Sequence, residues 1–372
     1  MNSFIYILLG VTVSASVSQV ENNCRTPARE IGKCVPIREC SIHMHLLKES
    51  PRPFPESRKK YIMDSYCDIK KKAYTVCCAA RHRQTNHEIE TPMIMDPDDY
   101  SRHPSLRLLA ESPCGRTADD KIAFGDDAPL AEFPWIVQLQ YKTPKGLEVR
   151  CGGSLISKRY VLTAAHCVDR KQGAVVSVRL GEHDTTKDID CDEIECMPPV
   201  QDIPVEKIRF HPKFNRSDFS NDIAVIRLRH EADLTRDNIL PICLPIKKTL
   251  HNRTPHQVII AGWGLTQKKK PSAILQKATV PIVPIEDCRF FYNKYAHITS
   301  AQLCAGVEKG IDSCQGDSGA PVFFTDPRKG TKYIQYGVVS FGNGKCGNID
   351  EYPGVYTRVS HYMKWILDQM RP

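Results

Sequence analysis

Gly316-Asp317-Ser318-Gly319-Ala320-Pro321 is the stretch from which this chain is read outward. A serine flanked closely by two glycines puts a hydroxyl on a tight turn, where backbone can approach a ligand without a Cβ in the way. Alone, such a stretch is compatible with an ordinary turn. Two further islands lie upstream: Thr163-Ala164-Ala165-His166-Cys167, and Asn221-Asp222-Ile223-Ala224, which opens a strand-like run. Amide hydrolysis by a serine needs a base for the hydroxyl proton and a carboxylate that holds the base in the right tautomer. It also needs backbone donors for the oxyanion. His166, Asp222 and Ser318 offer these residue types in that chain order.

The texture around the islands is that of an all-β protein. From residue 122 onward, short apolar runs at 135–140, 175–180, 223–228, 258–261 and 337–341 are bounded by Gly, Pro and Asn turns. Only 361–370 carries apolar residues at helical spacing, Met363, Ile366, Leu367 and Met370, and it reads as a terminal helix on a barrel.

Together, in this order and inside an all-β segment, the islands resemble the chymotrypsin-fold serine proteases, from 122 to the end of the chain. The resemblance implies a double β-barrel with a C-terminal helix. It implies that His166 is general base and then general acid, that Asp222 orients the imidazole, and that Ser318 forms the acyl-enzyme. Backbone N–H groups of Gly316 and Ser318 then form the oxyanion hole. Asp312 floors the primary pocket and selects a substrate Arg or Lys, with Gly342 and Gly354 as its walls. Phe341 stands where the family has Trp. The family is activated by cleavage after a basic residue, here Lys121, and the freed Ile122 ammonium pairs with the Asp before the nucleophile, Asp317. The usual Ile-Val-Gly-Gly is Ile-Ala-Phe-Gly here, with Phe124 the clearest departure; Asp119 and Asp120 are expected to discourage self-cleavage.

Bulk properties set the context. The chain has 372 residues, 41% hydrophobic and 25% charged, with a formal net charge of +8. No dense Lys/Arg tract accompanies that charge, so nucleic acid is not an expected partner. The 16 cysteines are even in number, include the adjacent pair Cys77 and Cys78, and form no CxxC knuckle. That pattern argues for an oxidising compartment and against zinc. Residues 4–13 are an apolar run of signal-peptide length, and Ser16-Val17-Ser18 offers a cleavage site after Ser18. Residues 1–18 are therefore expected to be a signal peptide, and the mature protein secreted, soluble and off the membrane. Asn215 and Asn252 head glycosylation triplets.

Residues 24–78 hold six cysteines at C-x9-C-x5-C-x26-C-x9-C-C, too small a segment to be stable without disulfides. Residues 79–121 read as linker and activation segment. A cysteine spacing of this kind, joined by a linker to residues 122–372, resembles the clip domain of arthropod clip-domain serine proteases. The resemblance implies the pairs Cys24–Cys77, Cys34–Cys67 and Cys40–Cys78. In the protease it implies Cys151–Cys167, Cys288–Cys304 and Cys314–Cys346, a tether Cys114–Cys243, and Cys191–Cys196 within one acidic loop.

The family works in haemolymph cascades. The expected partners are prophenoloxidase, clip-domain homologues or a Toll-ligand precursor as substrates, an upstream activating protease, and serpin inhibitors. A venom or developmental protease would share this chemistry. A non-catalytic clip homologue typically lacks the nucleophile, whereas this chain has all three residues. The clip segment is either a docking module or a spacer. Glu182, Asp184 and Asp190, with the carbonyl of Lys187, form either a structural Ca²⁺ site, as in related proteases, or a solvated acidic loop. Lys268-Lys269-Lys270 is either an exosite for an acidic partner or a solvated loop.

Overall fold

The computed structural model describes residues 23–43, 56–67, 75–79, 100, 103–117, 126–171, 173–247, 250, 255–264, 270–293, 296–306, 316–325, 332–342 and 352–372. The signal segment, Lys121–Ile122, Asn252, Lys268–Lys269, Asp312, Cys314 and Cys346 lie outside these residues. The chain divides into two compact units, Met1–Pro92 and Met93–Pro372.

The first unit is a three-stranded antiparallel sheet, β1 (Asn23–Arg25), β2 (Ile31–Pro36) and β3 (Thr75–Ala79), in that order. Helix α1 (Glu56–Asp64) precedes β3. Among the described residues, one buried apolar cluster of this unit is Cys40, Val76 and Cys78, with Val35, Ile37, Ile42 and Tyr66 packed on it. So small a core depends on covalent closure, and Cys24–Cys77, Cys34–Cys67 and Cys40–Cys78 supply it.

The second unit holds two closed β-barrels. Before them come helix α2 (Leu106–Ala110) and strand β4 (Asp126–Asp127). The first barrel is β5 (Ile136–Thr143), β6 (Gly146–Ser157), β7 (Tyr160–Thr163), β8 (Ala174–Leu180), β9 (Gln201–Phe210) and β10 (Ala224–Leu228). Its ring order is β10-β7-β6-β5-β8-β9, closed by β9 on β10. A short helix, α3 (Ala165–Val168), follows β7.

The second barrel is β11 (Gln257–Gly262), β12 (Gln276–Val283), β13 (Gln302–Ala305), β14 (Pro321–Thr325), β15 (Tyr333–Phe341) and β16 (Gly354–Arg358). It closes through β11–β12, with β4 added on β12. Helix α4 (Ile285–Tyr292) follows β12, and α5 (Met363–Gln369) follows β16. β-Branched runs such as Ala-Val-Val-Ser-Val in β8 and Ala-Val-Ile in β10 suit pleated, buried surface.

The barrels are joined by an aromatic cluster. Trp135, ahead of β5, stands edge-on to Phe323 of β14 at 5.4 Å, and Phe133 meets the same ring at 4.9 Å. Ser154 of β6 donates a buried hydrogen bond to Gln335 of β15 at 2.7 Å. Helix α5 buries Met363, Ile366 and Leu367 against the first barrel's core, as its spacing predicts.

One expectation needs correction. The stretch 79–121 reads as linker, yet part of it belongs to the second unit's core. Tyr100 is buried there, and Leu106, Leu108 and Leu109 pack on the core cluster. Ser105 donates to the Met370 carbonyl at 3.0 Å, and His103 bonds Asp368 at 3.1 Å. Three leucines are too few to display a period, but they suffice to cover apolar surface beside α5.

Candidate active site

His166 sits on α3, one turn of helix directly after β7. The Cys151–Cys167 disulfide ties that turn to β6, and Tyr141 donates to the Cys167 carbonyl at 2.8 Å. Asp222 immediately precedes Ile223 and β10, and is fully buried at 0% exposure. Its Oδ1 accepts the His166 backbone N–H at 2.9 Å, and its Oδ2 lies 2.7 Å from His166 Nδ1. An ionised carboxylate only accepts, so Nδ1 carries the proton and Nε2 keeps the lone pair a base needs. Ser340 of β15 donates a further hydrogen bond to Oδ2 at 2.6 Å.

Asn221 holds a left-handed backbone at φ 55°, and Tyr362 donates to its side chain at 3.1 Å. Burial first, and the charge of Asp222 second, push the Tyr362 hydroxyl up to about 12, so it stays a donor. Phe219 is also left-handed, at φ 53°, a strained state for a bulky residue. Its ring stands edge-on to His166 at 5.5 Å and meets Phe341 at 5.4 Å.

Ser318 is brought to the same place by the backbone around it. A Cβ at Gly319 would lie 2.2 Å from Thr163 Oγ1 and 2.6 Å from the Gly152 carbonyl. Only glycine lets the Ser318 loop lie this close to the end of β7, just ahead of His166. Gly152 N–H donates to the Ser318 carbonyl at 2.8 Å, which fixes the loop on β6. The N–H groups of Gly319 and Ala320 are spent on Val339 and Asp317 carbonyls. Those of Gly316 and Ser318 donate to no described residue. No hydrogen bond runs between His166 Nε2 and Ser318 Oγ; Nε2 lies 3.7 Å from Cys167 Sγ. Such contacts are often long in a free enzyme and tighten on binding.

Asp317 turns its carboxylate to the loop after β11, where it accepts the Gly264 N–H at 2.8 Å. A Cβ at Gly262 or Gly264 would fall within 2.3 Å of that carboxylate.

Comparison with known proteins agrees with this geometry. The trypsin family model matches residues 122–366, and the model for the regulatory CLIP domain of proteinases matches residues 24–78. The chain belongs to the clip-domain serine proteases of the trypsin family. It is similar to Melanization protease 1 of Drosophila melanogaster, 35% identical over 99% of this chain and 98% of that protein. It is likewise similar to Phenoloxidase-activating factor 3 of Holotrichia diomphalia, 35% identical over 98% of each. A solved structure, the Drosophila Grass clip serine protease of the Toll pathway, aligns at TM-score 0.65 and 30% identity, covering 94% of this chain and 97% of that one.

In this clip-domain protease, Gly342 follows the end of β15 and is exposed, and Gly354 is buried at the start of β16, paired with Ala305. Asp312, expected from the sequence to floor the pocket, lies outside the described residues, as do Lys121 and Ile122. The disulfides Cys114–Cys243, Cys191–Cys196 and Cys288–Cys304 are formed; Cys314 and Cys346 are not described. Asn215 is exposed, and its side chain accepts from both the N–H and the hydroxyl of Ser217. Sequence reasoning misses the Ser340 hydroxyl and Phe219. The signal for Ser340 was its place in Ser340-Phe341-Gly342, read there only as pocket wall.

The acidic loop after β8 buries Glu182, Asp184 and Asp190. Asp190 accepts the N–H groups of His183 and Asp184, both at 3.0 Å. Asp184 takes the Lys187 ammonium at 3.1 Å, and Glu182 is 3.3 Å from Arg179, which also serves Asp202. Burial first, and the charge of Asp190 second, hold Glu182 above the usual carboxylate range. The three carboxylates do not gather within 4.8 Å of one another. Their donor type and their excess of negative charge nonetheless fit a hard cation.

Proposed function

We propose that this protein is a secreted zymogen of an endopeptidase that cuts after Arg or Lys, in an extracellular cascade of the melanisation or Toll-ligand kind. The observation that carries catalysis is the buried Asp222–His166 pair standing next to a serine loop with two undonated N–H groups. His166 takes the Ser318 proton through Nε2 as Oγ attacks the scissile carbonyl. Asp222 holds the imidazolium that forms. His166 then protonates the leaving amine, and water repeats the steps in reverse to free the acid. The Gly316 and Ser318 N–H groups receive the oxyanion; losing one such donor costs about 3–4 kcal/mol of transition-state stabilisation.

The choice of Arg or Lys rests on Asp312 by family resemblance, and activation on cleavage between Lys121 and Ile122. The cascade role draws on the relatives: one is named for melanization, one for phenoloxidase activation, and one is placed in the Toll pathway. The test is to cleave the zymogen at Lys121 and offer it prophenoloxidase, clip-domain homologues and a Toll-ligand precursor side by side. Single-site cleavage after Arg or Lys in one of them is expected. Hydrolysis of no Arg or Lys amide at all would favour a non-catalytic cofactor instead.

A structural Ca²⁺ in the acidic loop is part of the same proposal, resting on charge and donor type. Bound there, a divalent cation would offset the three buried carboxylates in which Glu182, Asp184 and Asp190 take part. Chelation is expected to lower the thermal midpoint, by about 2.7 kcal/mol of lost stabilisation from a hundredfold excess over Kd; an unchanged midpoint in chelator removes the ion.

A further inference from the structure

The first barrel carries a pocket of about 140 Å³ that the catalytic chemistry does not use. Lys207 and Arg209 of β9, Arg227 of β10 and Arg371 line it, together with Tyr160 and Asp368. One carboxylate thus stands among four cations, and Asp368 is already held by His103 at 3.1 Å and Lys364 at 2.8 Å. Lys207, Arg209 and Arg371 form no ion pair with a described residue.

Arg227 lies over the Tyr160 ring and donates from Nη2 to the Pro372 carbonyl at 2.7 Å. Its Nε is buried. Glu206 is within ion-pair reach of that nitrogen at 3.3 Å without hydrogen-bond geometry, and it also pairs with Arg159 at 2.6 Å. The β9–β10 register sets Lys207 directly opposite Arg227. Like charges placed so across a sheet are destabilising, and an anion between them would relieve the repulsion.

We propose that this pocket binds the sulfate groups of a sulfated polysaccharide. Guanidinium groups present paired N–H donors that match a tetrahedral oxyanion. Lys207 and Arg209 lie two residues apart on one strand face, about 7 Å, so a chain bearing repeated charges can engage both as well as the Arg227 and Arg371 groups beside them. Single-stranded nucleic acid is disfavoured because its binding wants exposed aromatic platforms. The ring lining this pocket, Tyr160, is capped by Arg227, and its hydroxyl is bonded to the Arg371 backbone. The site lies about 16 Å along the chain direction of β10 from Asp222, so it can anchor the protein without filling the substrate cleft.

The test uses the full, uncleaved chain, so its outcome does not depend on the proteolytic reading. Binding to immobilised heparin is measured against fully desulfated heparin, duplex DNA and inorganic sulfate. The wild-type chain is expected to bind heparin in a salt-sensitive manner and to ignore the desulfated polymer. Binding should fall at least about tenfold in the Lys207→Ala/Arg209→Ala/Arg371→Ala variant, with a melting temperature no lower than that of the wild type, since Lys207 no longer opposes Arg227. Charge-keeping Lys207→Arg/Arg209→Lys should bind as wild type. Equal heparin binding by the alanine variant, equal binding of desulfated heparin, or tighter binding of DNA would each overturn the proposal.

Discussion

At Asp222 three donors meet one carboxylate that is fully buried: the His166 backbone, the His166 ring and the Ser340 hydroxyl. Each fixes the imidazole more tightly than its neighbour could alone. Ser340→Ala removes one of them and leaves the other two. A hydrogen bond to a charged group is worth about 1.5–3 kcal/mol, so kcat should fall about tenfold or more while KM changes little; steady-state kinetics on an Arg amide check this. Equal kcat in the variant would show that Ser340 only fills space.

His166, Asp222 and Ser318 could be singled out because each sits in a short island whose neighbours are constrained too, Cys167 beside His166 and glycines around Ser318; the structure brings His166 and Asp222 into a hydrogen-bonded pair. Ser340 was not legible as a partner of Asp222. The two are 118 residues apart and meet only because β15 of one barrel faces the start of β10 in the other. Phe219 escaped for a different reason: its left-handed backbone is set by the loop and has no mark in residue type.

At the scale of elements, apolar runs marked β5, β8, β10, β11 and β15 within a few residues of their ends. β9 gave no such mark. Its ten residues Gln-Asp-Ile-Pro-Val-Glu-Lys-Ile-Arg-Phe carry charges and a proline, and most of them face outward, so no alternation survives. Helix α2 was read as linker for want of length. Its leucines nonetheless join the core of the second unit. Leu109→Asp should therefore cost about 1–3 kcal/mol and lower the thermal midpoint of the intact chain by several degrees. A linker residue would tolerate the change, so an unchanged midpoint would return 103–115 to that reading.

For the whole molecule, fold class followed from the islands and the strand rhythm together. Cysteine spacing marked the clip unit, whose small buried cluster among the described residues could not have announced itself by periodicity. Cys114–Cys243 joins the stretch before Lys121 to the protease body across 129 residues of chain. Gly115 adds backbone bonds to Pro241 and Tyr333 at 2.8 Å each. A chain cut at Lys121, as the proposed activation requires, would therefore keep its clip unit through this disulfide.

Catalysis by Ser318 is tested most directly by reacting the chain with an organophosphorus fluoridate, which phosphorylates an activated serine with loss of fluoride, and reading the intact mass. Cleaved protein should gain one adduct per molecule, on Ser318. The uncleaved chain and the Ser318→Ala and His166→Ala variants should gain none at matched times. Absence of the adduct from cleaved protein, or its equal appearance in Ser318→Ala, would contradict a serine nucleophile at this position.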